Sequence, residues 1–483
     1  MSDNKTERMY INGEWIEGPG GQTYTAVNPA TGENIKHFAK GDKSTAAMAI
    51  EAAYGAMPAW SKTPAVERGR LLREVARLMR ERCDRIARVI TLENGKPIKE
   101  SRGEVNGAAA HFDWYAEQGQ RIYGRTVPPT FANKRHIVLH QPVGVTAAIT
   151  PWNFPIMLWA RKLAPALAAG CTVIARPATA TTLTAIEGTK CCVDAGLPKG
   201  TVNLVTGKAS EVVDVFVKSD LCRKITFTGS TEIGIGLAER AAKYMKRLSL
   251  ELGGQGPALV LSDADVEVAV KGVAGGKLRN NGQSCIAVNR CYVEQQIAEK
   301  FIPKLVQEVK TWKVGNGLEE DTDCGSMINE EGLNKVLEHI EDAVKKGAKL
   351  LCGGKRLMND GLDKGYFLEP TVLTNVTDEM MCMQEETFGP LLPVMTVKDR
   401  DEAIQRANNT KYGLSAYLFT TSTKNLFEVG EALEAGTIGV NDPVPSTTIA
   451  PFGGYKMSGL GRECGVEGIE AFLETKHLSI NIE

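Results

Sequence analysis

The sequence has almost no net charge and no long apolar run. Its 57 lysines and arginines nearly balance 58 aspartates and glutamates, so that the formal net charge is −1. Such a balance gives no reason to expect nucleic acid or an anionic membrane as a partner. The opening stretch MSDNKTERMYINGEW lacks the apolar centre of a signal peptide, and no run approaches the ~18 apolar residues of a membrane span. We therefore expect a soluble protein.

Cysteine and histidine spacings typical of a metal site or a disulfide framework are also missing. The eleven cysteines are scattered along the chain, no two have CxxC spacing, and only six histidines are present. Neither structural zinc nor another bound metal is expected from this pattern. Scattered cysteines in odd number favour free thiols in a reducing compartment, and the cytoplasm is the default expectation.

The remaining composition and the order of the apolar segments indicate the fold class. At 483 residues the chain is too long for one ordinary core, so roughly two to four domains are expected. Helical spacing of apolar residues predicts helices over 65–90 and 333–348. Short apolar runs bounded by Gly, Pro or Asp alternate with such helices: GVTAAIT, CTVIARP, TVNLVTG, KITFTG and PALVLSDAD. This alternation predicts parallel strands in an α/β fold.

One segment departs from that alternation. Residues 125–144, RTVPPTFANKRHIVLHQPVG, are interrupted by proline and then β-rich without a following helix. Together with the C-terminal HLSINIE they predict an exposed hairpin and an edge strand. Such edges commonly pair with another chain, so the segment points to an oligomer.

Three polar residues are candidates for catalysis. Cys285 lies in RNNGQSCIAVNR, among small and polar residues that suit an accessible nucleophilic thiol. Glu251 ends a strand-like run before two glycines, a position that suits a general base. Asn153, in TPWNFPI, carries an amide that packing could fix as an oxyanion donor. Each has an alternative: a packed cysteine, a surface glutamate beside a turn, and an asparagine that satisfies its own turn.

A fourth stretch, KITFTGSTEIGIGLAERA, suggests a phosphate site. It reads as a strand, a Gly229–Ser230 turn and a helix whose N-terminus could face a phosphate. The dinucleotide fingerprint GxGxxG is absent, so any strand-to-helix connection could look the same.

Taken together, the motifs identify a family. The blocks PWNFP, ALAAGCTV, FTGST, LELGG, GQSC, EETFGP and PFGGYKMSGLGRE occur in the order found in the aldehyde dehydrogenase superfamily, which the chain resembles over essentially its full length. The resemblance implies a Rossmann-like cofactor domain (1–122 and 142–252), an α/β catalytic domain (253–455) and a small β oligomerisation element (123–141 and 456–483). Homodimers or homotetramers are implied as well.

The resemblance also implies roles for individual residues. Cys285 matches the family nucleophile, Glu251 the general base and Asn153 the oxyanion donor. Glu463 matches a glutamate that helps to relay protons. Residues that match cofactor contacts are Ile149, Thr150, Trp152, Arg176, Thr179, Gly229, Ser230, Glu386 and Phe388. The implied reaction is oxidation of an aldehyde through a cysteine thioester, which Glu251 favours resolving with water rather than coenzyme A. A non-catalytic scaffold on the same fold is the remote alternative.

The choice of cofactor is where the sequence departs from the family pattern. The family usually reads KPxExTP after the ALAAG helix, whereas residues 176–182 here read RPATATT. Arg176 replaces a lysine, and Thr179 replaces the glutamate that would repel a 2′-phosphate. A guanidinium beside a small hydroxyl could accept that phosphate, so NADP is expected to be usable. Alternatively, Arg176 contacts the adenosine ribose as the family lysine does, and NAD is the cofactor.

Three positions suggest a substrate with an anion at its far end. Arg161, Arg279 and Ser446 stand where succinate semialdehyde dehydrogenases hold the distal carboxylate with two arginines and a serine. Succinate semialdehyde is therefore the first expectation. A sulfonate would suit these groups equally, and sulfolactaldehyde, lactaldehyde and glycolaldehyde dehydrogenases share much of the pattern. The loop before Ser446 departs from the usual GLIS to PVPS, and the two arginines could instead be structural ion-pair partners.

Overall fold

A computed structural model describes residues 5–483; the first four residues of the predicted cofactor domain lie outside that range. The strands of the described part, in chain order, are β1 (Met9–Ile11), β2 (Glu14–Ile16), β3 (Thr23–Val27), β4 (Asn34–Ala39), β5 (Arg125–Val127), β6 (Lys134–Pro142), β7 (Val145–Ile149), β8 (Val173–Arg176), β9 (Val202–Leu204), β10 (Cys222–Thr228), β11 (Arg247–Glu251), β12 (Gly256–Val260), β13 (Val288–Glu294), β14 (Lys349–Cys352), β15 (Thr371–Thr374), β16 (Leu391–Val397), β17 (Ser415–Phe419), β18 (Thr437–Val440), β19 (Gly459–Leu460) and β20 (Leu473–Asn481).

The α-helices over the same range are α1 (Lys43–Lys62), α2 (Ala65–Glu81), α3 (Cys83–Asn94), α4 (Ile98–Gln118), α5 (Pro155–Ala169), α6 (Thr182–Asp194), α7 (Ala209–Lys218), α8 (Thr231–Ala242), α9 (Val266–Leu278), α10 (Gln295–Thr311), α11 (Glu330–Lys345), α12 (Met381–Gln384), α13 (Arg400–Asn408), α14 (Thr423–Ala432) and α15 (Glu467–Glu470). None of the helices between residues 5 and 483 combines the length and the apolar character needed to cross a membrane.

The first large sheet has the strand order β19-β11-β10-β7-β8-β9-β1-β2. Its five central strands, β11 to β9 in that order, run parallel; β19 and β1 flank them in antiparallel orientation, and β2 is antiparallel to β1. Separate hydrophobic cores cover its two faces. Burial on both faces explains why β7 (VTAAI) is apolar or small at nearly every position and buried throughout.

The second large sheet has the order β14-β15-β16-β13-β12-β17-β18, parallel except for β14. It too is covered by a core on each face. The five short apolar runs of the sequence form β7, β8, β9, β10 and β12. The predicted α/β fold with parallel strands is therefore confirmed.

The third sheet, β20-β6-β5, is antiparallel and largely exposed. Residues Lys134–Pro142 pair along their whole length with Leu473–Asn481, as predicted for an exposed hairpin and edge strand. The sheet begins later in the chain than the predicted boundary at 456. Gly459–Leu460 pairs instead with the last two residues of β11, at the edge of the first sheet.

The helical prediction over 65–90 holds with one difference. The chain forms α2 and α3 rather than one helix, since Arg82 (φ −98°, ψ 14°) leaves the helical region between them. The break lets each helix bury its own apolar stripe, with Leu72 and Val75 in α2 and Ile86 in α3.

Candidate active site

A cavity of about 250 Å³ opens where the first sheet meets the second. It lies at the carboxyl edge of the parallel strands, where the chain leaves β7, β10 and β11, and such edges are the usual ligand sites of parallel sheets. Its lining residues are Pro151, Trp152, Asn153, Thr228, Gly229, Ser230, Glu251, Leu252, Gly253, Cys285, Lys335, Glu386 and Phe388. Eight residues predicted from the sequence are thus brought together.

Cys285 reaches the cavity on a tightly folded loop. Asn280, Asn281 and Gly282 all have left-handed φ values, of 50°, 55° and 74°. At Gly282 any Cβ would come within 2.1 Å of the Gly389 carbonyl oxygen, so glycine is required there. The residues just before and after Cys285 are buried, while Cys285 itself is partly exposed. Its enclosed position and the charges of Glu251 and Glu386 raise the pKa of the thiol well above its usual value.

Glu251 ends β11 and is 2% exposed. Within residues 5–483 neither of its carboxylate oxygens has a hydrogen-bond partner. Burial, assisted by the negative charge of Glu463, raises the pKa of Glu251 to about 7. A carboxylate that exchanges its proton near neutral pH and faces Cys285 can act as a general base.

Asn153 is buried and also lines the cavity. Its side-chain Nδ2 donates to the Gln283 carbonyl oxygen at 3.2 Å. An amide NH₂ has two N–H groups, so one donor remains for a ligand. The geometry is consistent with an oxyanion donor beside the Cys285 loop.

Glu463 does not line the cavity but lies behind it. Its Oε1 accepts a hydrogen bond from Lys162 Nζ at 2.6 Å, and its Oε2 is 3.9 Å from Arg161 Nη1. Burial alone would raise the pKa of Glu463, but these two cations more than offset it and hold the pKa below its usual value. In addition to the burial of Glu251, the negative charge of Glu463 raises the pKa of Glu251.

Glu386 and Phe388 form the cavity wall contributed by the second sheet's domain. Glu386 Oε1 accepts from the Gly254 N–H at 3.1 Å, and burial raises the pKa of this carboxyl to about 7. Phe388 adopts φ 55° and meets the Trp152 ring edge-on at 5.5 Å. Lys335 Nζ, which the sequence did not single out, donates to the Glu386 carbonyl oxygen at 2.7 Å.

Arg176 and Thr179 lie further along the same sheet edge, outside the cavity lining. Arg176 ends β8 opposite Ile149, and its carbonyl oxygen accepts from the Thr150 N–H at 3.2 Å. Its Nη2 donates to the Gly207 carbonyl oxygen at 2.9 Å and lies 3.5 Å from Thr179 Oγ1.

Two features of this edge suit a dinucleotide. The buried Nε of Arg176 has no hydrogen-bond partner in the described part of the chain, while Thr179 beside it is exposed. The N-terminus of the twelve-residue α8, capped by Ser230, belongs to the cavity lining at this edge. A Cβ on Gly229 would come within 2.4 Å of the Phe227 ring. A compact turn before a helix N-terminus leaves room for a phosphate.

The three residues predicted to hold a distal anion divide into two groups. Arg161 Nη2 donates to Ser446 Oγ at 3.2 Å, and the guanidinium lies 4.6 Å from the centre of the Phe452 ring. Arg279 is separate from this pair, 4.8 Å from the ring of Phe154. Across residues 5–483 Arg279 forms no ion pair, and the Arg161–Glu463 contact is a long one. None of the three residues lines the cavity, so the anion site and the alternative of structural ion pairs both stay predictions.

Lys162 is the clearest functional candidate that the sequence reasoning missed. It is fully buried on α5, where it bonds Glu463 and lies 3.2 Å from Thr226 Oγ1. The lysine inside the apolar run WARKLAPALAAG indicates a buried partner of opposite charge, because lysine is almost never fully buried without a partner. No group of three or more His, Cys, Asp or Glu that could hold a metal occurs among the residues described.

Comparison with known proteins identifies the family. The model of the aldehyde dehydrogenase family matches residues 15–478. The chain is 47% identical over 476 residues to a glutarate-semialdehyde dehydrogenase of Pseudomonas putida (strain KT2440), covering 99% of this chain and 98% of that one. It is 45% identical, with the same coverage, to a succinate-semialdehyde dehydrogenase (NADP+) of Escherichia coli K12. The crystal structure of an E. coli NADP-dependent enzyme superposes with a TM-score of 0.97 at 44% identity, covering 99% and 98%. The chain therefore belongs to the aldehyde dehydrogenase family.

Proposed function

We propose that this enzyme oxidises an aldehyde with a distal carboxylate to the corresponding acid, using NAD or NADP, and that succinate semialdehyde is its substrate. The observation that carries the proposal is a single cavity lined by Cys285, Glu251 and Asn153, together with an Arg161–Ser446 pair that lies outside that lining. The relatives named for succinate and glutarate semialdehydes support an ω-oxo acid as substrate.

In the first step the Cys285 sulfur attacks the aldehyde carbon. The free N–H of the Asn153 amide and the Cys285 backbone N–H stabilise the negative oxygen. The thiol first loses its proton, which is the one proton released in the overall reaction, and Glu251, with a pKa near neutral and no other hydrogen-bond partner, remains available as the base of the second step. The nicotinamide cofactor, when bound, supplies the hydride acceptor. Loss of hydride leaves a thioester on Cys285.

In the second step Glu251 takes a proton from water, the resulting hydroxide attacks the thioester carbon, and Glu251 returns the proton to the departing Cys285 sulfur as the carboxylic acid is released. Overall, aldehyde, water and oxidised cofactor give acid, reduced cofactor and a proton. Glu463, held by Lys162 and coupled to Glu251 by charge, is placed to pass that proton on.

The cofactor site fits a dinucleotide that extends from Arg176 to Glu386 along the carboxyl edge of the first sheet. Ile149, Thr150, Trp152, Gly229, Ser230 and Phe388 lie along that path. The unpaired Nε of Arg176 and the exposed hydroxyl of Thr179 suit a 2′-phosphate. We therefore propose that NADP is used, with NAD accepted at the same site.

Replacing Thr179 by glutamate should separate the two cofactors. A carboxylate beside Arg176 would repel a 2′-phosphate while accepting ribose hydroxyls, so we expect the KM for NADP to rise about 10- to 100-fold and that for NAD to stay close to native. Steady-state kinetics with both cofactors measure this. Thr179→Ala removes the hydroxyl without adding charge and should keep NADP usable. An unchanged KM for NADP in Thr179→Glu would place the 2′-phosphate elsewhere.

Substrate choice within this class depends on which anionic group Arg161 and Arg279 bind. Glutarate semialdehyde is one methylene longer, and a methylene is worth only about 10- to 200-fold in discrimination; it is the second candidate because a glutarate-semialdehyde dehydrogenase is among the similar relatives. Sulfolactaldehyde offers a sulfonate to the same guanidinium groups. Lactaldehyde and glycolaldehyde have no charge for Arg161 to meet.

Removing Arg161 should abolish the preference for anionic aldehydes. For Arg161→Ala we expect kcat/KM with succinate semialdehyde to fall about 10- to 100-fold, the value of one or two charge-assisted hydrogen bonds, and that with butanal to fall less, through the effect of Arg161 on Glu463. Arg279→Ala should show the same selective loss. Arg247→Ala, which removes an exposed ion pair with Glu474, serves as the control. Equal losses with both aldehydes would mean that Arg161 is structural.

We also propose that the protein is a homodimer or homotetramer in a reducing compartment. The exposed β5–β6–β20 sheet leaves β5 and β20 as open edges, which a second copy could pair with. All eleven cysteines are free, as expected of the cytoplasm. Light scattering tests the proposed dimer or tetramer: a monomer mass would contradict it.

The two large sheets support a cofactor domain through 252 and a catalytic domain from 253.

A further inference from the structure

The loop that carries Asn153 has no regular secondary structure of its own. Residues 151–154 connect β7 to α5, so no strand ladder fixes their backbone. Buried backbone carbonyl groups must still find donors. Here side chains supply them: the Trp152 carbonyl oxygen accepts from Asn94 Nδ2 at 3.0 Å, and the Asn153 carbonyl oxygen accepts from Lys96 Nζ at 2.6 Å.

Both donors come from one tight turn between α3 and α4, with the sequence ENGK at 93–96. Asn94 and Lys96 are 0% and 1% exposed. Gly95 has φ 89°, and a Cβ there would lie 2.2 Å from Ser326 Oγ, so only glycine fits. The turn is thus pressed against the second sheet's domain while two of its side chains hold the Asn153 loop.

A buried carboxylate, that of Glu104, also fixes the far end of the Asn153 loop. Lys96 Nζ is 2.7 Å from Glu104 Oε2, and Glu104 Oε1 accepts from the Ile156 N–H at 2.9 Å, in the first turn of α5. The Lys96–Glu104 pair therefore fixes the chain on both sides of Phe154. Burying two charges is costly unless both are paired and hydrogen-bonded, which is the case here.

The same loop is tied to the nucleophile. Asn280 Nδ2 donates to the Asn153 carbonyl oxygen at 2.9 Å and to the Gln283 carbonyl oxygen at 3.1 Å. The Gln283 carbonyl also accepts from Asn153 Nδ2. Gln283 is two residues before Cys285, so the distance between the amide and the thiol depends on this cluster.

We propose that Asn94 and Lys96 are positioning residues that hold the Asn153 amide at its working distance from Cys285. The inference rests on the oxyanion role proposed above for Asn153. A purely structural role for the Lys96–Glu104 ion pair is the competing explanation, and it predicts that removing both charges together restores activity along with stability.

The test compares two reactions of Cys285 in the cofactor-free enzyme. Hydrolysis of 4-nitrophenyl acetate passes through an oxyanion, whereas alkylation by iodoacetamide does not. For K96M we expect ester hydrolysis and aldehyde kcat to fall at least about 10-fold, because small misplacements of a catalytic group are costly, with the alkylation rate unchanged. In K96M/E104Q no unpaired charge remains, so stability to urea should recover partly while ester hydrolysis stays low.

N94A provides a second test that leaves the ion pair intact. It should show the same selective loss of ester hydrolysis. N203A is the matched control, since Asn203 is fully buried and donates to the carbonyl oxygens of Val173 and Gly200 outside the cavity lining; it should lose stability but keep activity. If K96M does not fold, N94A decides the question.

The outcomes separate this inference from the function on which it rests. A native enzyme that neither oxidises aldehydes nor cleaves the ester would overturn the oxyanion role and, with it, the inference. A native enzyme that does both, together with native-like ester hydrolysis in N94A and in K96M/E104Q, would overturn the positioning role alone.

Discussion

Cys285→Ala is expected to lower kcat at least about 10⁴-fold, since removing a catalytic nucleophile leaves only binding and charge stabilisation. The fold should persist, because the side chain is partly exposed and no hydrogen bond of the loop uses its sulfur. Initial rates of reduced-cofactor formation, combined with a urea unfolding curve, measure both quantities.

Cys83→Ser is the control for that substitution. Cys83 is also partly exposed, and its sulfur donates to the Arg102 carbonyl oxygen and accepts from the Asn106 amide, both in α4. Its kcat should equal the native value. Full activity in Cys285→Ala would remove the thioester from the mechanism and return the cysteine to a packing role.

Glu251→Gln is expected to stall the enzyme after the thioester forms. Hydrolysis needs a base at this position, so steady-state kcat should fall about 10²- to 10⁴-fold. A burst of reduced cofactor, equal to the number of active sites, should precede the stall. Mass spectrometry of the quenched protein should locate the acyl group on the peptide that contains Cys285.

The pH profile gives an independent check on Glu251. The base works only when deprotonated, and burial raises its pKa to about 7. Native kcat should therefore rise as the pH increases through about 7 and level off above it. In Glu251→Gln this rise should disappear. A native profile that falls over the same range, or a Glu251→Gln variant with no burst and no acyl-enzyme, would assign the base elsewhere.

The motifs that carry Asn153, Gly229 and Glu251 predicted neighbouring positions because each follows or ends a strand of the first sheet. Carboxyl ends of parallel strands meet at one edge, so residues after β7, β10 and β11 had to lie near one another. Cys285 and Glu386 come from the other sheet, and only the resemblance to the family placed them opposite. The pattern of short apolar runs was sufficient for the fold class.

Contacts between distant segments were not predictable in this way. Glu463 and Lys162 are 301 residues apart, and no local pattern shows that a buried lysine in α5 has its partner in the loop after β19. The hydrogen bonds that Asn94 and Lys96 donate to the Asn153 loop were not predicted, for the same reason. Similarly, the predicted boundary at 456 followed from the resemblance to the family, whereas Gly459–Leu460 pairs with the first sheet.

The most direct test of the account is the initial rate of the native enzyme with succinate semialdehyde and with butanal, each with NADP and with NAD. The account predicts a kcat/KM about 10- to 100-fold higher for succinate semialdehyde, which carries the carboxylate that Arg161 and Ser446 would bind. Reduced NADP should form readily. Equal or faster oxidation of butanal would contradict the anion pocket, and no reduced cofactor with either aldehyde would contradict the proposed reaction itself.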